Sequence, residues 1–277
     1  MNQPARALIH SVISGCLGFS VAVSISTRCH ALDYVSEVLA DNPSAYWRLG
    51  ENSGTVAASQ VSAPSRNGTY TGGVVLGQTG AITGGPDTAA LFPGNAAFQT
   101  TGAAGSALFS GASAITVELW IKPNLAQTGI HYLEYGLSGF SLEGSSQNPT
   151  FYVNNVGLGT VSLTVGSFTH VALELDGTNA RIFTNGSLSS TTAFSSSIAP
   201  DGFGGGAFFL ASRTASGRFV DATIDDVAVY AAALSPTRIQ AHFDAASAVP
   251  EPMATSAAVA CVLVAGAVVR SVRRKQT

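Results

Sequence analysis

Ile115-Thr116-Val117-Glu118-Leu119-Trp120-Ile121-Lys122 decides the fold of this chain. Successive side chains of a strand point to opposite faces, so Ile115, Val117, Leu119 and Ile121 share one side. Thr116, Glu118, Trp120 and Lys122 share the other, and Pro123-Asn124 stops the run. This is the pattern of a strand with one apolar face.

The same grammar continues outward. Downstream, His131 to Tyr135 and Phe140 to Glu143 flank a Gly-Leu-Ser-Gly loop, and Phe151 to Val153 precedes Asn154-Asn155. Phe168 to Leu175 ends at Asp176-Gly177, and Ala180 to Thr184 ends at Asn185-Gly186. Asp-Gly and Asn-Gly are strong hairpin signals, because both residues take positive φ cheaply. Ala207 to Ala211 and part of Phe219 to Tyr230 add further strands. Upstream, Ala45 to Leu49, Gly68 to Thr71, Val74 to Leu76, Ala89 to Phe92 and Ala97 to Thr100 alternate with turn residues.

Helix is expected only at the edges. Val35, Val38 and Leu39 fall at helical spacing, and Asn42-Pro43 ends that segment. Ser235 suits an N-cap, Pro236 the first helical position, and Ile239 and Phe243 the buried side of a helix over 236–245. The fold class predicted is all-β, a two-sheet antiparallel sandwich.

The two ends differ from the middle. Arg6, the small and apolar run Ala7 to Ser26, and Cys29-His30-Ala31 have the layout of a secretory signal peptide over 1–31. An uncleaved membrane helix is the plainer alternative. At the other end, Val249-Pro250-Glu251-Pro252 precedes an apolar run, 253–269, and the basic residues Arg270, Arg273, Arg274 and Lys275. That run is long enough for a short transmembrane helix, and the basic cluster would hold its end in the cytoplasm. The domain division expected is a signal peptide at 1–31, one sandwich domain at 32–248, and an anchor with its basic tail at 249–277.

All 16 acidic residues lie between Leu32 and Pro252, with only 7 of the 13 Lys and Arg, a formal charge of −9 for that stretch. An acidic surface repels phosphate backbones, so no nucleic-acid partner is expected. Cys16, Cys29 and Cys261 all lie in the end segments. The central domain therefore forms no internal disulfide and holds no cysteine-ligated zinc, and its length suffices for a core without either.

Four segments carry a resemblance: "AYWRLGENSG", "ITVELWIKP", "FTHVALELDGTNARIFTNG" and "ATIDDVAVYAAALSPTRIQAHF", in that order. Together they resemble a laminin-G-like, concanavalin A-type jelly roll over about Tyr34 to Phe243. The tail separately resembles the PEP-CTERM sorting signal. That likeness implies an exosortase-type processing protease as partner, membrane attachment through the C-terminal helix before processing, and a place in the cell envelope or the extracellular matrix.

The jelly-roll resemblance implies a structural calcium where the first and last strands meet, with Glu51 near Asp225. This chain has Ala58-Ser59-Gln60 where many relatives carry an Asp. Under strict alternation Asp225 shares a face with Val227, and Asp226 with Ile224.

Glycosidases on this fold need two carboxylates across the scissile bond. Glu174-Leu175-Asp176 begins one family's Glu-x-Asp-x-x-Glu, but Asn179 stands in the third acidic position. Glu134 and Glu143 lie on neighbouring segments without a spacing that fixes their geometry. No catalytic residue is therefore assigned. Trp47 and Trp120 are expected in the core, His170 is expected to be a hydrogen-bonded strand residue, and Tyr132, Tyr135, Phe140 and Tyr152 are candidate sugar platforms. The function expected is a non-catalytic, exported module, surface-anchored or released to the matrix, that recognises glycans or matrix partners. The alternatives are a structural surface component and, behind it, a glycoside-active enzyme.

Overall fold

A computed structural model describes residues 33–61, 65–83, 88–200, 205–214 and 217–247. The signal peptide (1–31), the sorting motif at Val249 to Pro252, the apolar run 253–269 and Arg270, Arg273 and Arg274 lie outside the described residues. Among those described, no helix is long and apolar enough to cross a membrane.

The elements run in order α1 (Tyr34–Ala40), β1 (Ala45–Trp47), β2 (Val56–Ala57), β3 (Gly68–Thr71), β4 (Val75–Thr79), β5 (Thr88–Pro93), β6 (Ala97–Thr100), α2 (Gly102–Phe109) and β7 (Ala114–Pro123). They continue with β8 (Thr128–Tyr135), β9 (Phe140–Ser145), β10 (Pro149–Val153), β11 (Val156–Thr160), β12 (Thr169–Asp176), β13 (Asn179–Thr184), β14 (Ser187–Ala193), β15 (Phe208–Leu210), β16 (Asp221–Tyr230) and α3 (Pro236–Ser247). One sheet has the order β14-β13-β12-β7-β16-β5-β4, with β1 also on β16; the other has β11-β10-β9-β8-β15-β6-β3-β2. The pairings are antiparallel. The sandwich expected from the alternation is present.

The four apolar residues of β7 enter the core between the sheets, where they join Phe98, Leu133, Leu142 and Phe151 of the second sheet. Trp47 is buried there and packs edge-on to Phe98, with centroids 5.1 Å apart.

The opposite face of β7 does not meet water. Trp120, Ala172, Phe183 and Tyr230 form a second apolar layer with Val38 of α1 and Ile239 and Ala246 of α3. Glu118 lies in this layer, fully buried. The ring nitrogen Nδ1 of His242 sits 2.9 Å from its Oε1, the Tyr230 hydroxyl donates to the same oxygen at 2.5 Å, and His170 Nε2 lies 3.4 Å from Oε2. Burial works to raise the Glu118 pKa, but hydrogen bonds from His170 and His242 outweigh it and hold the carboxyl well below the usual range. His242 Nε2 continues to Asp41 at 3.1 Å, and Arg238 joins Asp41 at 2.8 Å and Glu37 at 2.7 Å. One buried carboxylate thus ties both terminal helices to the first sheet.

Two local expectations are corrected. Strict alternation fails at Asp225-Asp226: the register against β7 shifts between Asp225 and Ala228, and Asp226 has a φ of 45°. The bulge turns Asp226 toward the Tyr46 hydroxyl, which donates to it. Helix is also not confined to the edges. In α2, capped by the Thr101 side chain on Ala104 N, Gly102 and Gly105 pass against backbone where an added Cβ would meet Gly205 O at 1.7 Å and Gly206 O at 2.1 Å. Two glycines hide this helix from propensity, yet only glycine permits its packing.

Candidate functional site

The outer face of the second sheet is polar. Cross-strand partners share a face, and the registers align Thr69, Gln99, Phe209, Glu134, Ser141 and Tyr152 in one row. A second row holds His131, Glu143, Thr150 and Thr160. The inner face of the same strands holds Tyr135, Phe140 and Val153, so polar and apolar residues are sorted by side.

His131 is the centre of this face. Its Nδ1 lies 2.8 Å from Glu134 Oε2, and its Nε2 lies 2.8 Å from Glu143 Oε2. Both nitrogens face carboxylates, which requires a donor on each side and favours the imidazolium. Burial pushes the His131 pKa down, but the bonds to Glu134 and Glu143 outweigh it and raise it. The tight turn after β8, with Leu137 and Ser138 at positive φ, aims the Ser138 N–H at the other oxygen of Glu134. Burial then leaves the Glu134 pKa raised. For Glu143 burial also works upward, but His131, then Arg213 and Arg218, outweigh it and lower the pKa.

Exposure separates the two acids. Glu134 is 1% exposed and Glu143 23%. Glu134 positions the ring, and Glu143 is the end that reaches solvent.

Tyr152 stands half-buried on the same face, beside Gly157 of β11. A Cβ on Gly157 would stand 3.3 Å from its ring, so the glycine leaves that ring its place. Phe209 lies in the middle of the same row and is buried. Three strand spacings, about 14 Å, separate it from Tyr152.

Among the described residues, one group of three or more side chains has the spacing to hold a metal ion: His131, Glu134 and Glu143. The arrangement fits a hydrogen-bonded relay better than a metal centre. The two carboxylates sit on opposite nitrogens of one ring, and two arginines add positive charge beside Glu143.

Other sequence candidates separate. Of the four platforms, Tyr132, Tyr135 and Phe140 are fully buried, and Tyr152 alone lies on the outer face. Glu174 and Asp176 both bind Arg181, each at 2.5 Å, and Asp176 caps its turn through Thr178 N and Asn179 N. Glu51 accepts from Ala58 N at 2.8 Å and from the Tyr70 hydroxyl at 2.7 Å, while Asp225 accepts from Ala81 N at 2.8 Å. Burial raises the Tyr70 pKa first, and the charges of Glu51 and Asp225 raise it further, so both carboxylates act on one hydroxyl. Sequence reasoning missed His131 as a bridge; Phe209, read within the strand 207–211, is buried. The two β-bulges of β8, at Thr128/Ile130 and His131/Leu133, break the spacing that would have revealed the bridge.

Residues 93–240, more than half of the chain, match the family model of the concanavalin A-like lectin/glucanases superfamily. The chain belongs to this superfamily. Among solved structures, domain 4 of AbnA, a GH43 extracellular arabinanase from Geobacillus stearothermophilus in complex with arabinotriose, is similar at 20% identity and a TM-score of 0.55, over 74% of this chain and 98% of that one. A Trypanosoma rangeli sialidase in complex with 2,3-difluorosialic acid matches at 12% identity and a TM-score of 0.54, over 75% of this chain. The botulinum neurotoxin type G receptor-binding domain matches at 12% identity and a TM-score of 0.51, over 73% of this chain. The match spans 33% of the sialidase chain and 51% of the neurotoxin domain. No curated protein sequence matches this chain.

These comparisons correct the expected function. The restriction to a non-catalytic module does not hold: chains of an arabinanase and of sialidases are among the solved structures that this chain resembles. Membership of this superfamily does not set the protein apart from glycoside-acting enzymes.

Proposed function

We propose that the outer face of the second sheet binds glycans. The observation that carries this is the sorted face itself: a solvent-reaching carboxylate, Glu143, held by His131, with the Tyr152 ring on the same side. Sugar recognition needs fixed polar groups beside an aromatic surface. A relative crystallised with arabinotriose supports the same reading. The test is retention of the full chain on a glycan array, with Glu143→Gln and Tyr152→Ala as the variants expected to lose it.

One observation favours a second reading, cleavage of a glycosidic bond. Oxygens of Glu134 and Glu143 come within 4.8 Å of one another, close to the separation of acid pairs in retaining glycosidases. Binding is the stronger reading because Glu134 is buried, with one oxygen on His131 and the other on Ser138 N. Reducing-sugar release from a polysaccharide panel, abolished in Glu143→Gln, would carry the second reading instead.

Two further proposals rest mainly on sequence pattern. Calcium at Glu51 and Asp225 suits the oxygen donors there in kind and would pin the first and last strands together. Export, with sorting directed by Val249 to Pro252 and by Arg270, Arg273 and Arg274, would place the domain at the cell envelope or in the matrix. Mislocalisation of an Arg273→Ala/Arg274→Ala variant with an intact domain tests the latter.

A further inference from the structure

Most cations of the domain are committed. Arg181 binds Glu174 and Asp176, Arg238 binds Asp41 and Glu37, Arg48 lies by Asp226, Arg66 donates to Ala104 O, and Lys122 covers the Phe168 ring. Among the described residues, the side chains of Arg213 and Arg218 make neither a hydrogen bond nor an ion pair, and the Arg213 Nε is buried without a partner.

Their place in the fold makes this informative. Both belong to the segment after β15, which is held against β8 and hence beside the polar face. Ala211 N donates to Tyr132 O at 2.9 Å, and His131 N donates to Arg218 O at 3.1 Å. Arg213 N donates to Gly217 O at 3.1 Å, which brings the two arginines to the same end of the segment. Both charges act on Glu143. Beside the His131 bridge, two arginines therefore add positive charge near Glu143, in a domain that is otherwise strongly acidic. Arg213 is half-buried and Arg218 exposed, and the planar fork of a guanidinium matches a carboxylate.

We infer that Arg213 and Arg218 receive carboxylate groups of a uronic-acid-containing saccharide lying on the outer face of the second sheet. This rests on the glycan-binding reading of that face and adds the charge class of the ligand. Glu143 and Tyr152 would engage hydroxyls and a ring face, while the arginines select acidic over neutral chains.

The experiment compares the full chain on several uronate polymers, each paired with its carboxyl-reduced, neutral counterpart. Titration should show at least one uronate bound about tenfold or more tighter than its neutral twin, the scale of one charge-assisted contact. Rising salt should shrink the preference. Arg213→Ala/Arg218→Ala should lose it while keeping neutral-sugar affinity, Arg213→Lys should keep part of it, and Lys122→Ala on the other sheet should leave it unchanged. Equal binding within every pair, or a preference unchanged in the double variant, would overturn the inference and leave glycan binding standing. Absence of binding to any saccharide, neutral or acidic, would remove both.

Discussion

Nδ1 of His242 lies 2.9 Å from Oε1 of Glu118, and neither side chain reaches solvent. One residue comes from the last helix and the other from the central strand, so this contact closes the domain. Removing one partner of a buried pair leaves an uncompensated charge. Glu118→Ala should therefore cost about 3 kcal/mol or more, measured by denaturant unfolding. Full stability in that variant would mean that the helices are held by apolar packing alone.

The same pair sets a pH window. Glu118 is lowered from 4.5, so its contribution is present above that value and is lost as pH falls through the folded pKa. His242 is raised from 6.5, so its contribution is complete below that value and is lost as pH rises through the folded pKa. The melting temperature should be highest between about pH 4.5 and 6.5. The decline on the alkaline side should flatten in His242→Gln. A wild-type melting temperature that climbs steadily to pH 9 would contradict this.

His131 offers a contrast between structure and site. His131→Ala strands the buried Glu134 and should destabilise by about 3 kcal/mol. Glu143→Gln keeps a hydrogen-bond acceptor at a partly exposed position and should change stability by less than about 1 kcal/mol. Its effect should fall on ligand retention. Equal loss of stability in both variants would place Glu143 in the framework rather than at the surface.

The close packing of α2 is a separate check on the fold. Gly105→Ala places a Cβ 2.1 Å from Gly206 O, and overpacking against backbone costs about 1–3 kcal/mol. Thermal unfolding of that variant should shift accordingly, with no change at Gly111→Ala beyond the strain of its φ of 74°.

Chelation tests the proposed calcium. If an ion joins Glu51 and Asp225, a chelator should lower the melting temperature by several degrees, and added calcium should restore it. An unchanged melting curve with no calcium in the purified protein would remove that proposal.

The alternation of 115–122 was enough to read a strand, and Asn185-Gly186 was enough to read the turn between β13 and β14, where φ is 49° and 77°. What alternation does not encode is the cover on each face. Alternation puts Glu118 opposite the apolar face but does not show that it is buried, because the helices that cover it lie far away in sequence; Trp120 is buried as its residue type leads one to expect. The Glu–His–Glu bridge was illegible for another reason. Two bulges in β8 change which residues share a side, so Glu134 and Glu143 converge without a regular spacing. Asp225 and Asp226 were misplaced by the same kind of device in β16. Of the candidate aromatic platforms, Tyr152 alone survives, because burial depends on which sheet face a strand presents and its residue type does not reveal that.

The most direct test of the central claim is glycan retention by the full chain beside its Tyr152→Ala variant, with both confirmed folded by circular dichroism. Binding to at least one saccharide, weakened about tenfold in the variant by loss of ring contact, is the expected result. Retention of no saccharide by the wild type, or equal retention by both proteins, would contradict a glycan site on the outer face of the second sheet.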